Sequence, residues 1–275
     1  MRIIFTRMKK VQNFGPEELQ GRVFERVNRQ LTRYEKESRF LVKDTDLMQT
    51  KEEVFDETTL MTLNGLIRRG VFSHLNGVVK AGKESRIYWG KKDNQSDVAI
   101  KIHLVTTSEF KRRLNYIIGD PRFKRIKSGT RNVVSLWAKK EFKNLKAAYE
   151  ARIPVPKPHT VKRNIVVMDF VGAEGVPFPL LSESKVSRRD YKRIVELIKI
   201  LFNRAKLVHA DLSEHNIFKK NDVLIPLDFG SAVNVLHPMS KEFLKRDLLN
   251  VNRFFSKREV DVIEIDELID LVIER

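Results

Sequence analysis

Two carboxylates and one amide, Asp211, Asn216 and Asp228, are the residues of this chain with the clearest chemical purpose. The first two lie in Leu207-Val208-His209-Ala210-Asp211-Leu212-Ser213-Glu214-His215-Asn216, and the third follows a short apolar run, in Asp228-Phe229-Gly230. Phosphoryl transfer from a magnesium nucleotide needs such a set: one acid accepts or orients the nucleophile's proton, while an amide and a second acid hold metal on the phosphates. Asp211 suits the first role, Asn216 and Asp228 the second. An isolated Asp-Phe-Gly would carry little weight, because it suits any exit from strand to turn. Both motifs, in order and separated by one apolar strand, carry far more. Lys101, in Val98-Ala99-Ile100-Lys101, adds a strand lysine of the kind that pairs with nucleotide phosphates and with a helix glutamate. Glu141 is chosen as that glutamate, with Glu150 the rival, since both fall in helical sequence and spacing alone does not aim a side chain.

A segment upstream should cover the phosphates. Gly77-Val78-Val79-Lys80-Ala81-Gly82-Lys83-Glu84 resembles a G-x-x-x-x-G-K-[ST] loop but fails at its last position, where Glu84 replaces the metal-binding hydroxyl. The residues after it read as a strand, where that loop needs a helix. It is better read as a strand-turn-strand flap whose amides, with Lys80 and Lys83, reach ATP. His209 is read as orienting its loop through a hydrogen bond, Trp89 and Trp137 as packing residues, and Glu214 equally well as solvated or functional.

These groups need a scaffold. Apolar spacing predicts helices over 16–38 and 56–69, the second stopped by Gly70. Short β segments follow around 78–79, 86–89 and 98–102, with a turn at 93–96. A basic, helix-rich stretch ends before Pro154, and 165–168 reads as a buried strand. Ser187-Arg188-Arg189-Asp190 opens a helix toward Lys206 with a capping box; two more helices cover 240–255 and 265–275. Strands first and helices later give an α+β protein with two lobes and the nucleotide between them. The expected units are a helical extension at 1–50, an N-terminal lobe at 51–171 and a C-terminal lobe at 172–275.

The 275 residues, 41% hydrophobic and 32% charged, describe a globular chain rather than a disordered one. No apolar run reaches membrane-spanning length, and the apolar stretch at the start is too short for a signal peptide. Without cysteine there are no disulfides or thiolate metal sites, and a cytoplasmic location is expected. The net charge of +17 is unevenly spread: residues 107–146 hold twelve Lys/Arg against three acids, the last twenty residues seven acids against three bases. Such a stretch would attract nucleic acid by counterion release, with Arg112, Arg113, Arg122 and Lys124 as expected contacts.

With these parts in order, the chain resembles RIO-type atypical serine/threonine kinases, closest to the type-one branch. The resemblance runs from about residue 54 onward and rests on GVVKAGKESRIY, AIKIH, TTSEFKRRLNYIIGDPRF, WAKKEFKNLKAAYEARIPVPKP, VVMDFVGAEGVPFPLL, LVHADLSEHNI and PLDFGSAV. It implies a two-lobed protein-kinase-like fold with a truncated C-terminal lobe. It makes Asp211 the catalytic acid/base, Asn216 and Asp228 the ligands of Mg2+ or Mn2+, and Asp228 also a potential phosphoaspartate. Lys101, paired with Glu141, would hold the ATP phosphates under Lys80 and Lys83, with Met168, Asp169 and Val171 along the adenine slot. Autophosphorylation, ATP hydrolysis and a place in small-ribosomal-subunit maturation, on precursor rRNA, are further implications; the protein phosphoacceptor stays unknown. The flap departs from the usual type-one S-T-G-K-E-A-N-V-Y and partly matches the type-two branch. The alternatives are a small-molecule phosphotransferase of the aminoglycoside or choline type and an RNA-binding scaffold with a silent nucleotide pocket.

Overall fold

A computed structural model describes residues 55–105, 110–123 and 129–273. The helix expected at 16–38, the extension at 1–50 and Lys124 lie outside the described residues. The elements run α1 (Glu57–Arg68), β1 (His74–Ala81), β2 (Ser85–Lys91), β3 (Asp97–His103), α2 (Phe110–Asn115), α3 (Thr130–Glu150), β4 (Pro158–Lys162) and β5 (Ile165–Asp169). After these come β6 (Gly172–Ala173), β7 (Val176–Pro177), α4 (Arg188–Asn203), β8 (Leu207–Val208), β9 (Ile217–Lys220), β10 (Val223–Pro226), β11 (Val233–Asn234), α5 (Ser240–Ser256) and α6 (Ile265–Ile273). No helix among the described residues is long and apolar enough to cross a membrane.

An antiparallel sheet in the order β1-β2-β3-β5-β4 forms the first half. Successive residues of β3 point to opposite faces, and this alternation decides the site. Val98, Ile100 and Ile102 pack with Leu63 and Leu66 of α1 into one core, while Lys101, pointing the other way, reaches Glu141 of α3. Asp56 caps α1 by accepting from Thr59 N at 2.7 Å, and its other oxygen takes Arg131 of α3, also at 2.7 Å. One carboxylate thus starts the first helix and ties it to the third.

The second half is helical. Ser187 and Asp190 form the capping box of α4. Ile194, Ile198, Leu248, Val251, Phe255, Leu268 and Val272 close a core among α4, α5 and α6. Two small antiparallel pairs set the chemistry: β8 with β11, and β9 with β10. The loop 209–216 leaves β8 and enters β9; the loop 227–232 leaves β10 and enters β11. Pairing these four strands therefore brings Asp211, Asn216 and Asp228 into one neighbourhood.

Candidate active site

Lys101 is the centre of the site. Its Nζ lies 2.7 Å from Glu141 Oε1 and 2.9 Å from Asp228 Oδ1, with the residue 4% exposed. Burial opposes its charge, but the carboxylates of Asp228 and Glu141 outweigh that and raise its pKa, so it is a cation at any ordinary pH. Burial likewise works against Glu141 and Asp228, and Lys101 overcomes it in both, holding each carboxyl below its usual range. The Asp228 side chain keeps 51% of its exposure, so one face of this ionised group is open to a ligand. Glu141 has a second neighbour, His103 Nε2, 2.8 Å from its Oε2 though off the line of a hydrogen bond. Glu150, the rival glutamate, is exposed and sits 3.7 Å from Lys146.

Asn216 donates to the main-chain oxygen of Asp211 at 2.9 Å and reaches its Oδ2 at 3.5 Å, placing the amide beside the exposed acid. His209 is buried; its Nε2–H donates to Leu227 O at 2.8 Å and its ring lies 4.9 Å from that of Phe229. It ties one loop to the other. Burial lowers its pKa, which keeps the imidazole neutral.

Sequence reasoning missed the groups that hold these loops from behind. Asp247 of α5, 1% exposed, accepts from Ala210 N at 2.7 Å and Leu212 N at 2.9 Å, straddling Asp211. Arg246 donates to the Ala210 carbonyl. These contacts keep Ala210 in the left-handed region at φ 62°, where a side chain is strained. Asp228 is in the same region at φ 58°. Its loop is held by α3: Lys140 Nζ donates to Gly230 O at 2.8 Å, and Asn144 Nδ2 to Phe229 O at 2.9 Å and Ala232 O at 2.6 Å. Burial lowers Lys140 to about 7. A sequence signal existed. Trp137, Lys140, Glu141 and Asn144 recur at helical spacing on one face, and polar groups on a buried face need partners.

The basic stretch is partly internal, which corrects its reading as a surface. Arg113 and Lys140 are buried, and Arg122 is held by Asp120 at 2.6 Å. The exposed basic residues that remain on α3 are Arg131, Lys139, Lys143 and Lys146.

A cavity of about 270 Å³ opens between flap and loops, and Lys80, Lys83, Lys101, Asp211 and Asp228 line it. Glu141 stands behind Lys101, and Asn216 beside Asp211. Met168, Asp169 and Val171 do not line this cavity; Met168 and Asp169 close β5, and the Asp169 carboxylate contacts His159 Nε2 at 2.6 Å. The flap is a β1–β2 hairpin closed by Gly82 N to Ser85 O at 3.0 Å. Among the described residues no cluster of three or more His, Cys, Asp or Glu side chains could hold a metal by itself. Asp228, an ionised carboxylate, and Asn216, whose main-chain oxygen accepts from Leu227 N on the Asp228 loop at 2.9 Å, are the kind of partial set that suits Mg2+, which takes few protein ligands and completes its shell with phosphate oxygens and water.

A family model described as the RIO domain matches residues 86–268. The serine/threonine-protein kinase RIO1 of Caenorhabditis elegans is 35% identical over 271 residues, covering 96% of this chain and 53% of that protein. The RIO-type serine/threonine-protein kinase Rio1 of Methanocaldococcus jannaschii is 39% identical over 229 residues, covering 82% of this chain and 77% of that one. Against the worm protein the chain spans about half the length. Among solved structures, the Rio2 kinase–ADP/Mg2+–phosphoaspartate complex from Chaetomium thermophilum superposes with a TM-score of 0.60 at 24% identity, over 78% of this chain and 66% of that one. That likeness shows a shared kinase-like fold.

Proposed function

The chain belongs to the RIO kinase family, with its type-one members, and on that premise we propose that it is an ATP-dependent serine/threonine kinase with ATPase activity. The observation that carries this reading is the bridge from Lys101 to both Glu141 and Asp228, at 2.7 and 2.9 Å, facing the cavity that Asp211 also lines. A silent pocket would gain nothing from burying these charges, since removing ions from water is costly unless the arrangement is used. Lys101 is assigned to the phosphates, and Lys80 and Lys83 close over them. Asp211 orients the acceptor hydroxyl and takes its proton. Asp228 and Asn216 would hold Mg2+ or Mn2+, which would neutralise charge on the phosphates. Met168, Asp169 and Val171 are assigned to the adenine end through their main chain, at a lobe junction placed at 171/172.

Two finer assignments belong to the same proposal. Asp228 accepts the terminal phosphoryl group: its carboxylate oxygen bonds to phosphorus, the bond from phosphorus to the bridging oxygen breaks, and ADP leaves; water then releases phosphate. Its open, ionised carboxylate supports this, as does the phosphoaspartate named in the Rio2 complex. The protein also phosphorylates its own serine and acts in the cytoplasm on the precursor of the small ribosomal subunit. Its charge of +17 supports an RNA partner.

Asp211→Ala and Asp228→Ala test the assignment, with ATP hydrolysis and self-phosphorylation measured in magnesium. Both variants lose turnover, and nucleotide binding survives better in Asp211→Ala. Undiminished turnover in both would overturn the reading.

A further inference from the structure

Among the described residues Arg113 is the largest buried polar side chain, at 2% exposure, and apart from the RNA contact that its burial rules out it has been given no role. It comes from α2, outside both the flap and the sheet, and lines the same cavity as Lys83, Lys101, Asp211 and Asp228. Its guanidinium lies over Trp137, 5.7 Å from the ring centroid. Nη2 donates to Glu84 O at 3.2 Å and stands 3.6 Å from Glu84 Oε2, beyond hydrogen-bond reach of that carboxylate. Nε is buried and has no hydrogen-bond partner among the described residues. A guanidinium carries five N–H donors, so these contacts leave most of its capacity unused. Buried polar groups are nearly always satisfied, and an exception calls for a partner.

We infer that Arg113 is a binding residue for the terminal phosphate of the nucleotide, its planar fork taking two phosphate oxygens while Glu84 and Trp137 hold it in orientation. The inference rests on the nucleotide reading above and adds to it a discrimination between triphosphate and diphosphate. Three features favour the terminal position. Lys101 is already engaged by Glu141 and Asp228. Asp211, which orients the nucleophile, marks the reacting end of the cavity, and Arg113 lines that same cavity. A planar, weakly hydrated guanidinium matches phosphate oxygens two at a time, whereas an ammonium offers a point charge. Glu84 belongs to the flap, so the same arginine joins the flap to the phosphate that the flap covers.

The test is equilibrium binding of ADP and of a non-hydrolysable β,γ-methylene ATP analogue, each with Mg2+, to the wild-type chain, Arg113→Gln and Arg113→Lys. Arg113→Gln should weaken the triphosphate analogue about tenfold or more, the worth of one to two charge-assisted hydrogen bonds, and ADP by less than about threefold. Arg113→Lys should fall between. A merely structural role would instead lower the thermal midpoint and weaken both nucleotides alike, and that result overturns the inference. If Arg113→Gln does not fold, Arg113→Lys carries the test, and an unchanged ratio of the two affinities overturns it. Wild-type protein that binds neither nucleotide would defeat the nucleotide reading itself and this inference with it. Wild-type binding with an unchanged ratio in the variants defeats the inference alone.

Discussion

Replacing Asp247 with asparagine would separate how the loop bearing Asp211 is positioned from how the fold is stabilised. The carboxyl accepts two main-chain N–H groups, at 2.7 and 2.9 Å, from the residues on either side of Asp211. Asparagine keeps one acceptor and turns an amide donor toward the other N–H, which costs about 1–3 kcal/mol. The pH dependence reveals the mechanism. Burial lifts Asp247 from 3.8 to about 7, so between these values the folded protein holds a proton that the unfolded chain has released. Stability from this group is fully present below the ordinary carboxylate range and is lost as pH rises through about 7. Such a rise corresponds to on the order of 4 kcal/mol, a contribution that asparagine does not have. Urea unfolding from pH 4 to 8 should therefore show wild type ahead of Asp247→Asn in acid, with the gap closing or reversing toward pH 8. Turnover at pH 7 should still fall about tenfold or more, because a small displacement of Asp211 is costly to rate. A gap that widens with pH, or unaltered turnover, would refute the reasoning.

Lys101→Met leaves the Glu141 carboxylate buried beside His103 without its cation and should destabilise by about 3–5 kcal/mol in denaturant titration; Lys101→Met/Glu141→Gln should recover part of that loss while remaining inactive. Gly230→Ala would place a methyl 3.1 Å from Trp137 Cζ2 and Nε1, and the crowding should cost about 1–3 kcal/mol in thermal unfolding and weaken Mg2+-dependent nucleotide binding. For the basic face, Lys139→Glu/Lys143→Glu/Lys146→Glu should weaken binding to a single-stranded RNA and flatten the plot of log affinity against log salt by about 0.7 for each phosphate no longer neutralised; a slope equal to the wild type's would show that these lysines do not touch RNA.

The elements were legible because each carries a local signal. Asp56 and Ser187 cap helices where their side chains compete for main-chain N–H groups, and β3 carries the short β-branched run Val98, Ile100 and Ile102 of a buried strand. The grouping of Asp211, Asn216 and Asp228 was legible because their spacing is set by two short strand pairs. Charge was the misleading signal. Counting Arg113 and Lys140 as surface charge assumed that cations face water, yet both are internal. The reason is chemical: Lys140 finds main-chain carbonyls and an aromatic ring, and Arg113 a carbonyl and the same ring. Asp247 was hidden differently. It interrupts the apolar positions Phe243, Leu244, Leu248 and Val251 of α5, and its partners are main-chain N–H groups 35 and 37 residues away, which leave no trace in side-chain identity.

The placement of Trp137, Lys140, Glu141 and Asn144 on one helix has a mechanical consequence. Glu141 holds Lys101 of the sheet, while Lys140 and Asn144 hold the loop that carries Asp228. Lys101 then closes the circuit by reaching Asp228 itself. A rotation of α3 that withdrew Glu141 would also pull on Gly230 and Phe229, so a movement of the helix disturbs the lysine–glutamate pair and the Asp228 loop together. Removing Glu141 alone leaves Lys101 on Asp228; removing Asn144 alone leaves Lys140 on Gly230. Each single break therefore spares an alternative tie, whereas moving the helix loosens both. Geometric control of this site would act on α3 as a body, which packs against β4 and β5 and is also held by α1 through Asp56 and Arg131 and by α2 through Arg113 over Trp137.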